Sequence, residues 1–182
     1  MRLKTREITA AAVFAVLTCV GAWVSIRLPI TPVPITLQVF FVLLSGAILA
    51  GRLGALSQVM YILLGISGFP VFAGGTSGPG VLVGPTGGYL FGFIAGAYVT
   101  GWVGHSFVPT GFRKLTLATL LGLCPIYLIG VLWLWFWLKS TPMNVLIAGI
   151  LPFLPGDIIK AVISAYVASR KHVIQIIHQN AS

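Results

Sequence analysis

Apolar runs long enough to enter a lipid hydrocarbon core follow one another along the whole sequence, separated by single basic residues or short proline- and glycine-rich links. In lipid the backbone has no water to bond, so such a chain satisfies its N–H and C=O groups inside helices. The spacing predicts an all-α integral membrane protein of one domain over 1–182. Six transmembrane spans are expected at about 8–26, 35–50, 53–66, 89–107, 115–138 and 145–168. The runs 35–50 and 53–66 would form a helix of roughly 48 Å if continuous, against a hydrocarbon core of about 30 Å. They are therefore expected to be two short spans joined by a tight turn at Gly51 and Arg52.

Charge sets the orientation. Lys and Arg number 11 against 2 for Asp and Glu, in a chain that is 58% hydrophobic and 7% charged. In a soluble protein that excess would suggest nucleic acid. Here the cations stand singly or in pairs beside apolar runs, as membrane flanks do, so the partner is a lipid bilayer and no nucleic acid is expected. With six spans Arg2, Lys4, Arg6, Arg52, Arg113, Lys114, Arg170 and Lys171 fall on one side, and Arg27 and Lys139 on the other. The bias places both termini in the cytoplasm of a cell-membrane protein. The run from Ile8 to Ile26 is longer than the apolar core of a secretion signal and is read as a retained span. Cys19 and Cys124 have no second thiol or His at ligand spacing, which leaves buried apolar roles and no metal site.

One of the two acids, Asp157, lies three residues before Lys160 inside the last apolar run. That spacing puts both on one helix face. Each charge costs roughly 2.5 to 3.5 kcal/mol at mid-bilayer on insertion scales, so the pair is either a structural clamp between helices or the lining of a cavity. Pro152, Pro155 and Gly156 immediately precede it and should kink or unwind the helix. Backbone freed at membrane depth needs protein or a polar cavity, which favours a pocket. Counting back from Arg170 at about 1.5 Å per residue puts Asp157 roughly 20 Å deep, within reach from outside.

Nine of the 24 residues from Gly65 to Gly88 are glycine, too many for a membrane helix. No Walker spacing or dinucleotide fingerprint accompanies them. The apolar residues dispersed among them, Phe69, Val71, Phe72, Val81, Leu82 and Val83, predict an external lid over the bundle rather than a solvated linker. Gln38, Gln58 and Tyr61 are the polar members of the second and third runs and serve either as interhelical hydrogen bonds or as ligand contacts. Ala11 and Ala15 form a small-residue strip on the first span, suited to a partner helix or to internal packing.

Asp157 can accept two N–H donors, Lys160 can meet a carboxylate or carbonyl, and Tyr89 offers a ring and a hydroxyl where the glycine-rich stretch ends. Such a site suits a small, partly apolar ligand with a carboxylate and an amide-like or ureido edge. Catalysis is not expected: no nucleophile neighbours a His, and no acid cluster or metal-ligand spacing occurs. Without a nucleotide motif, active transport would need a separate energising partner or an ion gradient.

Three stretches carry a resemblance: Gly68-Phe69-Pro70-Val71-Phe72-Ala73-Gly74-Gly75, then Gly84-Pro85-Thr86-Gly87-Gly88-Tyr89-Leu90, then Pro155-Gly156-Asp157-Ile158-Ile159-Lys160. Together they resemble the BioY family, the biotin-binding S components of energy-coupling factor (ECF) transporters. The likeness also covers the Gly51-Arg52 turn and Gly54 to Tyr61. It implies a six-helix protein that captures biotin from outside, with no cofactor, and associates with a transmembrane coupling protein and two cytoplasmic ATPases. It further implies that Asp157 and Lys160 are the polar binding residues, with Tyr89 beside the ligand; Thr86 and Gln38 are further candidates for ligand contact. Thr76 and Ser77 would add contacts from the loop, and Ala11 and Ala15 would form the coupling-protein surface. A membrane protein without transport activity, or an S component for another vitamin, remains the alternative to biotin capture.

Overall fold

The computed structural model describes residues 4–106 and 111–170. The end of the fourth span expected at Phe107, and most of the amphipathic surface piece that the sequence after Ala168 also suggests, lie outside them. The chain is mostly helical. Helix α1 (Thr5–Trp23) begins where the Lys4 backbone N–H donates to Glu7 Oε2 at 2.7 Å. A proline-rich link follows, closed by two-residue antiparallel strands β1 (Ser25–Ile26) and β2 (Ile35–Thr36). Then come α2 (Gln38–Ile66), the four-residue α3 (Gly80–Val83), α4 (Gly87–His105), α5 (Phe112–Leu138), α6 (Pro142–Gly149) and α7 (Leu154–Ala168). Among the described residues, α1, α2 and α5 are each long and apolar enough to cross a membrane. The pair α6–α7, bent by 46° at a short break, makes a fourth.

By length α2 counts as one helix, but its contacts say otherwise. Gln38 Nε2 lies 2.5 Å from Tyr61 Oη, and Gln58 Nε2 lies 3.3 Å from Ser45 Oγ. Residues 23 apart in a straight helix would be about 34 Å apart. The two halves therefore run antiparallel, and the reversal sits at Ala50, with φ 66° and ψ 172°. Glycines permit the closeness: a Cβ on Gly54 would stand 2.8 Å from Gly46 Cα, and one on Gly101 of α4 would stand 2.2 Å from Gly51 N. Ala50 occupies backbone space that is essentially glycine-only, at a cost of roughly 1 to 3 kcal/mol. Ala50→Gly is expected to raise the thermal unfolding midpoint in detergent by a few degrees, since relief of strain exceeds the added chain entropy of about 0.5 to 1 kcal/mol. An unchanged or lower midpoint would mean that the turn is not strained.

Helix α4 lies between α2 and α5. Gly92 and Gly96 seat it against Ile126, where an added Cβ would come within 2.9 and 2.6 Å. The small-residue face of α1 turns inward: Ala11 and Ala15 are 0% and 1% exposed, in one stripe with Thr18 and Ala22. This corrects the expectation that the strip offers a coupling-protein surface. It is internal packing against α2, while Val13, Val16 and Val20 face outward. Cys19 is half-buried and Cys124 exposed, so neither has the fully buried role expected of it.

The loop from 67 to 86 is ordered by backbone and indole hydrogen bonds. Its first half bridges Phe72 to Thr76 around a single 3-10 turn, Ala73–Gly75, in which Gly74 and Gly75 have φ 71° and 74°. Phe72 is buried edge-on against Tyr61, with ring centres 5.6 Å apart. Three tryptophans donate to loop carbonyls: Trp23 to Pro70 at 3.2 Å, Trp133 to Gly84 at 2.9 Å and Trp137 to Val83 at 2.6 Å. Trp133 and Trp137 thus tie the end of α5 to the loop.

Candidate functional site

The loop, the proline-rich link and the helices beneath them enclose a cavity of about 650 Å³, a size that suits a small organic ligand. Its walls are largely apolar, formed by residues such as Val39, Phe72, Leu90, Phe93, Ile126 and Phe153. Six of the residues expected at a site line this one space: Gln38, Thr76, Ser77, Thr86, Tyr89 and Asp157. They reach it from α2, the loop, the N-cap and first turn of α4 and the first turn of α7.

The bend between α6 and α7 explains how an acid comes to be buried there. Thr141 caps α6 with Pro142 at the first helical position, and the helix ends at Gly149. Pro152 falls in the break, and α7 restarts with Pro155 in its first turn, where a missing N–H costs nothing. The Gly149 carbonyl at the end of α6 accepts the Tyr89 hydroxyl at 2.8 Å. Asp157 then lies in the first turn of α7, where the positive end of the helix dipole favours a carboxylate.

Asp157 is 4% exposed and accepts at both oxygens. Lys160 Nζ lies 2.8 Å from Oδ1, and Tyr127 Oη donates to Oδ2 at 2.7 Å. Lys160 also donates to the Thr36 carbonyl of β2 at 2.6 Å. It does not line the cavity; its two short bonds hold it behind Asp157, whereas the sequence suggested direct ligand contact. Charge is compensated locally, and each carboxylate oxygen keeps a further lone-pair direction for an N–H donor.

Gln38 both lines the cavity and donates to Tyr61, whose hydroxyl reaches the Val71 carbonyl at 3.2 Å. Gln58 is fully buried away from the cavity among Thr18, Ser45 and Ser57. Tyr127 and Arg27 are among the cavity residues that escaped sequence reasoning. Tyr127 lies in an apolar span two residues after Pro125, and its polarity at mid-span was the available signal. Arg27 read as a flanking charge, yet it lines the cavity, and a Cβ on Gly74 would stand 2.5 Å from its guanidinium.

Comparison with known proteins covers most of the chain. The chain is 44% identical over 165 residues to the biotin transporter BioY of Thermotoga maritima, covering 91% of this chain and 95% of that protein. It is likewise 44% identical over 170 residues to a probable biotin transporter BioY of Pyrococcus horikoshii, covering 92% and 97%. The fold matches a crystal structure of the S-component for biotin from an ECF-type ABC transporter, with a TM-score of 0.84 at 23% identity. That match covers 100% of this chain and 96% of the other. The BioY family model matches residues 1–175, and the chain belongs to the BioY family.

Proposed function

We propose that this chain is the biotin-capturing membrane subunit of an ECF-type vitamin transporter. The observation that carries it is a buried carboxylate, Asp157, set into a largely apolar 650 Å³ cavity. Biotin combines a ureido ring with two N–H donors, an apolar bicycle and chain, and a terminal carboxylate. Asp157 accepts from the ureido edge while Lys160 and Tyr127 fix its orientation, and the apolar walls take the ring and chain. Tyr89, Thr86, Gln38, Thr76 and Ser77 complete the shell. The names that the relatives carry support the same ligand.

On this reading the two halves of α2 are separate spans, so that α1, α2, α4, α5 and the bent pair α6–α7 make six crossings. The positive residues then put both termini in the cytoplasm, and the loop from 67 to 86 is an external lid. A coupling protein and two ATPases supply the energy for release inward.

Thermal unfolding of the detergent-purified chain with biotin, riboflavin or thiamine tests the assignment. Saturation at 1,000 times the dissociation constant adds about 4 kcal/mol to the folded state. A shift with biotin alone is expected, and no shift with biotin would overturn the reading. Arg27, the single cation lining the cavity among the described residues, is the partner for the ligand's carboxylate. Arg27→Gln should weaken biotin about 10- to 100-fold and leave biotin methyl ester nearly unaffected. Equal losses for both would remove Arg27 from that role.

A further inference from the structure

Asp157 faces the cavity with its charge already answered. Lys160 Nζ lies 2.8 Å from Oδ1, and the side chains of the pair are only 15% and 6% exposed, so water screens them little. The ammonium is held in place by its second bond, to the Thr36 carbonyl of β2 at 2.6 Å. The other groups packed around the carboxylate are neutral: Tyr127 Oη donates to Oδ2 from α5, and Tyr89 of α4 spends its hydroxyl proton on the Gly149 carbonyl. Arg27 is the remaining charge in the cavity wall among the described residues. One carboxylate against two cations leaves one positive charge over, which a ligand carboxylate would answer.

We infer that Lys160 sets the charge selectivity of the site: it admits a ligand whose N–H edge is neutral and rejects one whose edge is cationic. The inference rests on the reading of the cavity as the biotin site. A lone buried carboxylate would pair best with a guanidinium or amidinium, which brings N–H donors and counter-charge together. With Lys160 in place, such an edge would set a second cation against the same carboxylate, in a largely apolar space with no other acid to answer it. A urea offers its two N–H donors without that charge. Lys160 does not line the cavity, so it acts through Asp157 as a positioning residue and not as a ligand contact.

The test displaces labelled biotin from the intact chain in detergent, near neutral pH, with unlabelled biotin, its thiourea analogue or 2-iminobiotin. All three keep the ring N–H donors, and only 2-iminobiotin, with a protonated guanidine in place of the urea, carries the extra charge. The thiourea analogue is expected to bind within about tenfold of biotin, and 2-iminobiotin to bind about 100-fold more weakly or worse. Lys160→Met should narrow the gap between 2-iminobiotin and biotin about tenfold or more, whereas Lys160→Arg keeps the charge and should keep the gap. A Lys160 that served only to hold the fold would weaken all three competitors alike. Size-exclusion chromatography confirms that each variant is monodisperse, and the three competitors on the parent chain decide the matter alone where a variant aggregates. Binding of 2-iminobiotin to the parent as tightly as the thiourea analogue, or an unchanged gap in folded Lys160→Met, would overturn the inference while leaving the biotin site standing. Failure of biotin itself to bind would overturn that site and the inference with it.

Discussion

Asp157→Asn is expected to lower biotin affinity by at least two orders of magnitude and to destabilise the protein at the same time. On the proposed reading the carboxylate accepts from the ligand, and it is also the counter-charge of Lys160. Its loss leaves a largely buried ammonium facing a neutral amide, and breaking such a pair from one side costs roughly 3 to 5 kcal/mol. Lys160→Met should destabilise by a similar amount. The double variant Asp157→Leu with Lys160→Met removes both charges and should recover much of the stability without recovering binding. Calorimetric titration with biotin and thermal unfolding of all three variants separate the two roles. Parental affinity in Asp157→Asn would remove Asp157 from the site. A double variant no more stable than the singles would show that charge compensation is not what the pair provides.

The second large effect is kinetic. Replacing Trp133 and Trp137 together by Phe keeps the rings and removes two indole N–H donors to the loop carbonyls of Gly84 and Val83. At about 1 kcal/mol per hydrogen bond, the double variant should release biotin some 30-fold faster, with a much smaller change in association rate. Dissociation of labelled biotin chased by excess unlabelled ligand measures it directly. An unchanged rate would mean that the ligand leaves by a route that does not open the loop at these two points.

How far residues could be read before the fold was known depends on what kind of information each carries. Asp157 and Lys160 were legible because a charge in an apolar run has few physical excuses, and the prolines before them marked the break that exposes Tyr89's partner carbonyl. Tyr127 was hidden by its own chemistry: a tyrosine in a span is as compatible with lipid as with a ligand, and only the 2.7 Å contact to Asp157 assigns it. Arg27 carries the same signal as any flanking cation. Its place in the cavity wall depends on the β1–β2 pairing, which two-residue strands do not announce in sequence. The direction of the Ala11 and Ala15 strip was misjudged although a clue was present. Val13, Val16 and Val20 occupy the opposite face of α1, and larger apolar side chains toward lipid with small ones toward protein is the arrangement that close helix packing favours.

Lys160 bonds a backbone carbonyl 124 residues earlier, at Thr36, and Ser164 does the same with Phe40. During synthesis those partners are made long before α7 exists. Contacts of such separation close late, because the loop between them must be ordered first. If the proposed site is the binding site, a chain that has not yet inserted α7 lacks Asp157 and is expected not to hold the ligand. On that reading, retention of biotin would report that the last helix is in place.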